Sequence, residues 1–310
     1  MTRPRVSVIV ASFNAVDTIE GCLSALARQE CEEPFEVVVI DSSSDGTADV
    51  ARRFPGVFLH TFPDRKFPGE ARNLGAARSE GEVLAFTDAD CVPDPGWVRE
   101  IVEAHRRDDP VIGGTIDNAN PESLVGWAYF FCELNQWMPG TAAGYMDDIP
   151  TGNLSVKRWA FDRYGPFLEG TYSSDTAFNW RIAADGHRPL FVPAIRVAHV
   201  NVTDLSDYLR RKVFHGRCFA RVRVAERGFS RLRRLAYATL SLGLPVLLPA
   251  RAIRNVLSRG VYLREFAMAF PLVFLGLAAW SWGELRGYLD GPAEHAAAIG
   301  ASVDPLGSAP

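Results

Sequence analysis

Short, nearly all-apolar runs alternate with segments of helical periodicity over the first 107 residues, and this alternation restricts the fold more than any other feature. The runs 6–11 and 36–40 are rich in β-branched residues, as in strands that are buried on both faces. Between them, apolar residues recur three and four positions apart from Ile19 to Leu26, which is typical of an amphipathic helix. The pattern predicts an α/β fold with a mostly parallel central sheet.

The same alternation continues and then becomes irregular. Strands are predicted at 57–61 and 83–86, with helices around Val50 and over 70–78. After Arg107 we expect a strand at 111–116, an aromatic-rich helix at 124–137 and strand-like residues at 189–200. The sequence therefore predicts one domain over 1–204, made of the halves 1–107 and 108–204. Ligands of such sheets bind beyond the carboxyl ends of the strands.

Beyond residue 204 the chain becomes basic and then apolar. Ten Arg and Lys residues lie between Arg210 and Arg234, and two apolar segments follow at 235–250 and 266–282, joined by an Arg-bearing link. A basic block beside apolar segments favours anionic lipid headgroups. We therefore predict membrane-associated helices over 205–290 and a flexible tail over 291–310.

The apolar segments are each shorter than the ~20 residues that span a bilayer, and Pro245, Pro249 and Pro271 interrupt them. Two spans would also place the Arg residues of the link outside, against the positive-inside tendency. We expect a re-entrant or interface-lying pair of helices on the cytoplasmic face of the membrane. The alternative is burial as core or as a homo-oligomer contact.

Composition excludes several classes of protein. A net charge of -4 with 23% charged residues does not indicate disorder or nucleic-acid binding. The five cysteines are scattered without a CxxC pair, as in a reduced, cytosolic domain. Neither GxGxxG after the first strand nor GxxxxGK[ST] occurs, which argues against dinucleotide dehydrogenases and P-loop NTPases.

A pair of carboxylates, Asp88 and Asp90, follows the strand predicted at 83–86. Residues two apart in an extended backbone project to the same side, so both carboxylates can address one hard cation. We expect Mn²⁺ or Mg²⁺ there, where it would bridge the two phosphates of a nucleotide diphosphate. The alternative for such a short motif is a solvated turn.

Six motifs occur in a fixed order over about the first two-thirds of the chain: VSVIVASFN (6–14), VVIDSSSDGT (38–47), GEARNLG (69–75), FTDAD (86–90), GN (152–153) and SDTAFNWR (174–181). In this order they resemble the family 2 glycosyltransferases, whose fold is the nucleotide-sugar-binding GT-A type. The resemblance makes 1–107 the nucleotide-sugar-binding half and 108–204 the acceptor-binding half.

The resemblance implies an inverting, metal-dependent enzyme that moves one sugar from a nucleotide-diphosphate sugar, with a UDP-sugar expected. The acceptor would be a hydroxyl or phosphate, as on a lipid-linked saccharide or polyprenyl phosphate in cell-surface polysaccharide or glycan synthesis. The Gln-x-x-Arg-Trp segment of processive synthases does not occur, so we expect one transfer per binding event.

The resemblance also assigns donor contacts. The first strand end and Asp41 would hold the nucleobase, with the Asp41 carboxylate accepting from a base N–H, and Arg72 would approach the base or diphosphate. A local turn cap is the alternative for Asp41, and a helix-surface ion pair is the alternative for Arg72. The residues assigned to the donor are Ala11, Ser12, Phe13, Asp41, Arg72, Asp88 and Ala89.

Asp175 matches the second acidic position of the family's acidic pair, and Ser174 stands at the first. The resemblance implies that Asp175 removes the acceptor proton as the acceptor oxygen attacks the anomeric carbon. The alternative is a carboxylate favoured by the helix dipole. His199 follows a strand-like run where the family presents a histidine to the metal, and a packed histidine is the alternative.

Gly152 and Asn153 resemble the family's Gly-Asn on the acceptor side. Trp137 and Trp180 could stack on a sugar face or belong to the core. Rival functions are a nucleotidyltransferase, which would need a basic, Gly-rich loop after the first strand, and a catalytically inactive, membrane-bound sugar-nucleotide-binding scaffold. The four carboxylates at 41, 88, 90 and 175 argue against the scaffold.

Overall fold

The computed structural model describes residues 4–292, so the predicted tail falls outside the described residues from position 293 onward. The strands are β1 (Val6–Ser12), β2 (Phe35–Asp41), β3 (Val57–Thr61), β4 (Val83–Asp88), β5 (Cys91–Pro93), β6 (Val111–Asn118), β7 (Gly144–Tyr145), β8 (Leu154–Lys157) and β9 (Leu190–His199). The helices are α1 (Ile19–Ala27), α2 (Thr47–Ala51), α3 (Pro68–Ala77), α4 (Trp97–Ala104), α5 (Leu124–Glu133), α6 (Arg158–Tyr164), α7 (Ser174–Ala184), α8 (Leu205–Glu226), α9 (Arg231–Ser241), α10 (Leu244–Arg259) and α11 (Leu263–Asp290).

Within the described residues, nine strands form one sheet in the order β3-β2-β1-β4-β8-β6-β9-β5, with β7 paired to β9. Strands β1 to β4 are parallel, and β6 is parallel to β9. The remaining pairs are antiparallel. The predicted α/β fold with a mostly parallel sheet is confirmed.

The order of the first four strands creates a switch point. From β1 the chain moves to β2 and β3 on one side and then returns to β4 on the other side. The register places Ser12 opposite Asp41 and Ala11 opposite Asp88. The carboxyl ends of three strands therefore meet where open α/β sheets bind their ligands.

Local sequence explains why helices cover this sheet closely. Ile19, Cys22, Leu23 and Leu26 form the buried stripe of α1, as their spacing predicts. Gly75 on α3 lacks a Cβ that would lie 2.4 Å from Ile9 Cγ2. The missing side chain lets α3 lie directly against β1.

The described residues divide into two compact units. The first takes the residues up to Ala119, together with Thr141–Glu169 and Phe178–Val200, and contains the sheet. The second takes Asn120–Gly140, Gly170–Ala177 and the residues from Asn201 onward. Two of its segments thus precede the boundary that the sequence predicts at 204.

Helices α5, α8 and α11 form the core of the second unit. The rings of Phe131 and Phe266 pack edge to face, with centroids 4.9 Å apart. Cβ atoms added at Gly216 and Gly283 would lie 2.2 Å from the Trp280 carbonyl oxygen and 2.0 Å from the Val213 carbonyl oxygen. Small residues therefore allow the backbones of α8 and α11 to approach closely, as in tight helix pairs.

The C-terminal helices differ from the prediction in extent. The link predicted as Arg-bearing is helical in α10 up to Arg259 and again in α11 from Leu263, and Pro249 and Pro271 lie inside helices. The helix predicted over 124–137 ends at Glu133. The second apolar segment is part of a 28-residue helix, about 42 Å long at 1.5 Å per residue. The expectation that this segment is too short to span a bilayer is therefore wrong.

Among residues 4–292, α11 is long and apolar enough to cross a membrane. Helices α9 and α10 meet that criterion only together, and they are bent by 62° at their break. Many large apolar side chains of these helices are exposed, including Leu232, Leu235, Leu240, Leu242, Val246, Leu247, Leu257, Leu263, Met268, Phe274, Leu275 and Trp282.

Candidate active site

The ends of β1 and β2 form a hydrogen-bonded rim. Asp41 is 1% exposed, and its Oδ1 accepts from the Ser43 hydroxyl at 2.6 Å. Asn14, at φ 48°, donates its N–H to Ser43 Oγ, and its side-chain oxygen accepts from Ser44 N. Asp41 therefore caps the turn that follows β2, which is the local role its residue type favours. Its contact with a nucleobase stays a prediction.

Two buried polar atoms beside this rim have no hydrogen-bond partner among the described residues. They are Ser12 Oγ, at the end of β1, and Arg72 Nε, on α3. Each residue is about 5% exposed or less. A buried polar group without a partner costs roughly 1–3 kcal/mol, so a ligand that pairs with these atoms would bind favourably. Both residues are among those predicted to hold the donor.

Arg72 forms an ion pair with Asp88 at the end of β4. The Arg72 side chain is 6% exposed and that of Asp88 is 30% exposed. The other carboxylate oxygen, Oδ2, faces Gly152, where an added Cβ would lie 3.5 Å away. One carboxylate oxygen of Asp88 therefore pairs with Arg72, and the other lies beside Gly152, which has no side chain to block it.

Asp90 lies beside His199, which is the last residue of β9. Asp90 Oδ2 is 3.5 Å from His199 Nε2, because the antiparallel pairing of β5 with β9 sets Cys91 opposite His199. Ligand atoms of Asp90, Cys91 and His199 all lie within 4.8 Å of one another. The backbone of Ala89 and Asp90 is a turn, so the expectation of an extended backbone from Asp88 to Asp90 is wrong.

The Asp90 and His199 side chains fit a divalent cation, whereas Cys91 fits poorly. Burial raises the pKa of the Cys91 thiol well above its ordinary value, and the nearby Asp90 and Asp88 carboxylates raise it further. A bound cation would oppose that shift, since a coordinating thiol loses its proton, but a soft thiolate suits Mn²⁺ or Mg²⁺ less well than a carboxylate does. Carboxylate and imidazole together suit Mn²⁺, so the donor set is compatible with the predicted metal.

Asn153, which the sequence assigns to the acceptor side, is buried and uses its side chain to hold neighbouring strands and helices together. It is 1% exposed, accepts from Trp97 Nε1 at 2.8 Å and donates to the carbonyl oxygens of Thr115 and Ile195. Gly152 has no side chain, and its carbonyl oxygen accepts from the Thr87 hydroxyl at 3.1 Å. Asn153 therefore fixes the loop that carries Gly152.

Trp180 and Trp137 differ in burial. Trp180 lies on the part of α7 that belongs to the first unit and is half-buried. Trp137 belongs to the second unit and is 7% exposed. Core packing, one of the two alternatives for these side chains, describes Trp137.

Asp175 lies in the first turn of α7, in the second unit. Its Oδ1 accepts from the Thr176 N–H at 2.9 Å. Ser173 precedes the helix with φ 60°, a left-handed conformation that is unusual for serine. Asp175 thus has the helix-start position that its motif predicts, and its role as a base stays a prediction.

Sequence reasoning missed two residues of the first-unit site. The Arg65 guanidinium lies 4.3 Å from the centre of the Phe13 ring and 5.0 Å from that of Phe67. Cys91 joins the Asp90 and His199 pair through strand register. Arg65 stands two residues before Phe67, but its contact with Phe13 and the place of Cys91 arise from the fold and have no local sequence signal.

Solved structures share the fold across almost the whole chain. The mannosyltransferase PcManGT from Pyrobaculum calidifontis, in complex with GDP-Man and Mn²⁺, matches with a TM-score of 0.58 at 20% identity and covers 97% of this chain and 87% of its own. S. aureus TarS 1-349, in complex with UDP-GlcNAc, matches with a TM-score of 0.53 at 17% identity over 94% and 93%. The sheet and its helices therefore have the GT-A fold.

The family follows from the sequence. Residues 7–164 match the model of Glycosyl transferase family 2. The glycosyltransferase AglE of Haloferax volcanii is 30% identical over 173 residues, which are 54% of this chain and 57% of that relative. The chain thus spans little more than half the length of this curated relative. The chain belongs to Glycosyl transferase family 2.

Proposed function

We propose that this chain is an inverting glycosyltransferase that moves one sugar from a nucleotide-diphosphate sugar to a hydroxyl or phosphate acceptor. The observation that carries the proposal is the position of Asp41 and Asp88 at the carboxyl ends of β2 and β4, the two strands that flank β1. Asp90 follows two residues after Asp88, and His199 lies 3.5 Å from it. The complexes of the mannosyltransferase with GDP-Man and of TarS with UDP-GlcNAc support a nucleotide-sugar donor. A UDP-sugar is the donor that we expect.

The rim at the ends of β1 and β2 would hold the nucleobase. Ala11, Ser12 and Phe13 would line it, with Arg65 over the Phe13 ring. Ser12 Oγ would gain the hydrogen bond that it lacks among the described residues. Asp41, held by Ser43, would accept from a base N–H.

Asp88, Asp90 and His199 would hold a divalent cation, and the Mn²⁺ of the mannosyltransferase complex supports this assignment. When bound, the cation would neutralise charge on the departing nucleotide diphosphate. Arg72 could then turn its guanidinium from Asp88 toward a phosphate oxygen, where it pairs well.

Asp175 would be the base. A carboxylate there would accept the acceptor proton, and direct displacement would invert the configuration of the anomeric carbon. Its motif and its place in the first turn of α7 support this role. Gly152, Asn153 and Trp180 would belong to the acceptor side, whereas Trp137, 7% exposed, would serve the core.

The exposed apolar side chains of α9, α10 and α11 and the Arg residues of α8 and α9 support association with the cytoplasmic face of a membrane. A membrane-bound enzyme is suited to a lipid-linked acceptor. The 62° bend between α9 and α10 supports a re-entrant or interface-lying pair.

Nucleotide release from a panel of UDP- and GDP-sugars, with and without Mn²⁺, tests the proposal. We expect one donor to be hydrolysed or transferred, faster with Mn²⁺. Release of pyrophosphate from nucleoside triphosphates would instead indicate a nucleotidyltransferase. Donor binding without any turnover, in the presence of membranes and lipid acceptors, would indicate an inactive scaffold.

A further inference from the structure

Helix α8 carries a polar cluster that the proposed reaction leaves without a role. Lys212 and His215 lie on one face of the helix, as residues three apart do, and both contact the Glu133 carboxylate at the end of α5. Lys212 is 1% exposed, and its ammonium lies 4.2 Å from the centre of the Tyr129 ring. We call Glu133, Lys212 and His215 the α8 cluster.

Lys212 keeps Glu133 ionised. Burial acts to raise the pKa of Glu133, but the Lys212 ammonium and His215 outweigh it and hold that pKa well below its ordinary value. An ionised carboxylate only accepts hydrogen bonds. His215 Nδ1, 3.1 Å from Glu133 Oε1, therefore carries the hydrogen, and the imidazole ring has a fixed orientation.

The fixed ring of His215 lies against Tyr172, with centroids 4.9 Å apart and planes 34° apart. Phe214 packs edge-on against the same tyrosine at 5.3 Å. Tyr172 also packs against Cys218, which is buried beside Phe214. Three residues within about one turn of α8 thus contact Tyr172.

Tyr172 belongs to the same short segment as Asp175, Gly170–Ala177. Gly170 and Ser173 in this segment have φ values of 65° and 60°. A left-handed serine costs free energy and persists only where its surroundings fix it. The contacts of Tyr172 with α8 supply such a constraint two residues before helix α7 begins.

We propose that His215 is a positioning residue, which fixes Tyr172 and thereby holds the Gly170–Ala177 segment in the conformation that presents Asp175. The proposal rests on the proposed role of Asp175 as the base. His215 acts through the segment and does not itself take the acceptor proton.

The test compares single and double variants of the full chain in nucleotide release, with water as acceptor and the nucleotide sugar that the wild-type chain hydrolyses fastest. His215→Ala should lower kcat by about 10- to 100-fold, the effect of a misplaced catalytic group, with unchanged KM for the donor. His215→Phe, which keeps a ring against Tyr172, should recover part of the loss. His187→Ala, at a histidine whose ring lies 6.3 Å from that of Tyr164, is the matched control and should retain wild-type kcat.

The decisive measurement is the cycle of His215→Ala with Asp175→Asn. If His215 acts through Asp175, the double variant should be no slower than Asp175→Asn alone. Losses that multiply, or a His215→Ala variant with wild-type kcat, would overturn the positioning role and leave Asp175 as the base. A near wild-type rate for Asp175→Asn would overturn both assignments. Circular dichroism of each variant separates these outcomes from loss of the fold, and His215→Phe serves if His215→Ala does not fold.

Discussion

Asp90 and His199 are more than 100 positions apart in sequence, yet the fold brings their side chains to within 3.5 Å. Asp90→Asn should strongly reduce metal-dependent turnover because the cation loses a charged ligand. His199→Ala should weaken the response to Mn²⁺ in the same direction. Turnover against Mn²⁺ concentration measures both effects.

Asp94→Asn is the control for the metal ligands. Asp94 lies four residues from Asp90, its side chain is 52% exposed, and its ion pair with Arg196 is at the surface. This variant should respond to Mn²⁺ as the wild-type chain does. Wild-type metal dependence in both Asp90→Asn and Asp88→Asn would contradict the metal site.

Asp175 and Asp41 should give different kinetic signatures. Asp175→Asn should lower kcat about 10²–10⁴-fold, the usual loss when a positioned base is removed, with donor affinity retained. Asp41→Ala should instead weaken nucleotide affinity, because that carboxylate is predicted to contact the base. Transfer by Asp175→Asn at near wild-type rate would place the base elsewhere, with Asp147, Asp148 and Glu169 next to test.

His105, at the end of α4, should make the fold sensitive to acid. Burial lowers the pKa of His105 to about 3, and its Nε2 is 2.9 Å from Ser155 Oγ. In the unfolded chain His105 takes up a proton near pH 6.5, whereas in the folded chain it stays neutral until about pH 3. The free energy of unfolding should therefore fall as pH drops below 6.5. The slope contributed by one such group is up to ~1.4 kcal/mol per pH unit.

Urea unfolding of His105→Gln between pH 7 and pH 4 tests this contribution. Glutamine keeps a donor for Ser155 and removes the proton uptake. The free energy of unfolding of this variant should depend less on pH than that of the wild-type chain. Identical dependence would mean that His105 titrates normally in the folded chain.

At the scale of elements, the contact between α5 and α8 depends on a buried charge pair. Glu133→Gln leaves the Lys212 ammonium, 1% exposed, without its counter-charge. Removal of one partner of a buried pair typically costs ~3–5 kcal/mol, so the midpoint of urea unfolding should fall markedly.

The double variant Glu133→Gln/Lys212→Met controls for that loss. Methionine fills a similar volume without a charge, and replacement of a whole buried pair by apolar groups is often neutral. The double variant should therefore be more stable than Glu133→Gln alone. An equal loss in both would show that packing, and not charge, explains the effect.

The strands and helices up to β4 could be predicted because their signals are local. The run at 36–40 and the stripe from Ile19 to Leu26 specify a strand and a helix by periodicity alone. The end of α5 at Glu133 could not be predicted, since the apolar residues continue to Trp137 and Met138. The sequence predicts that Pro245 and Pro249 interrupt the apolar segment, but α10 continues through both to Arg259. Pro245 lies in the first turn, where proline is tolerated, whereas Pro249 lies in the helix interior.

The candidate site was predictable to the extent that its residues belong to ordered motifs. Asp41, Asp88 and Asp90 each follow an apolar strand, so their common edge follows from the parallel sheet. The Asp88 ion pair with Arg72 and the place of Cys91 beside His199 arise from packing and register. Neither can be read from sequence spacing.

At the scale of the whole molecule, exposed apolar side chains of the C-terminal helices form a candidate membrane-binding surface. Leu240, Leu242, Val246 and Leu247, at the bend between α9 and α10, are each more than 60% exposed. Replacement of these four by Ser should reduce sedimentation with anionic vesicles, because each buried apolar side chain contributes about 1.5–3 kcal/mol.

Phe58 and Trp159 provide the control for that experiment. They are 56% and 48% exposed and belong to the first unit. Their replacement by Ser should leave vesicle binding unchanged. If the four-residue variant sediments as the wild-type chain does, the anchor lies in α11 or in the basic residues of α8.

The second unit also constrains how the chain can be made. Helix α5 packs its aromatic face on α11, as with Phe131 on Phe266, yet α11 begins about 130 residues later along the chain. At ordinary synthesis rates that interval lasts on the order of ten seconds. During translation, the aromatic residues of α5 are therefore made well before α11 can cover them.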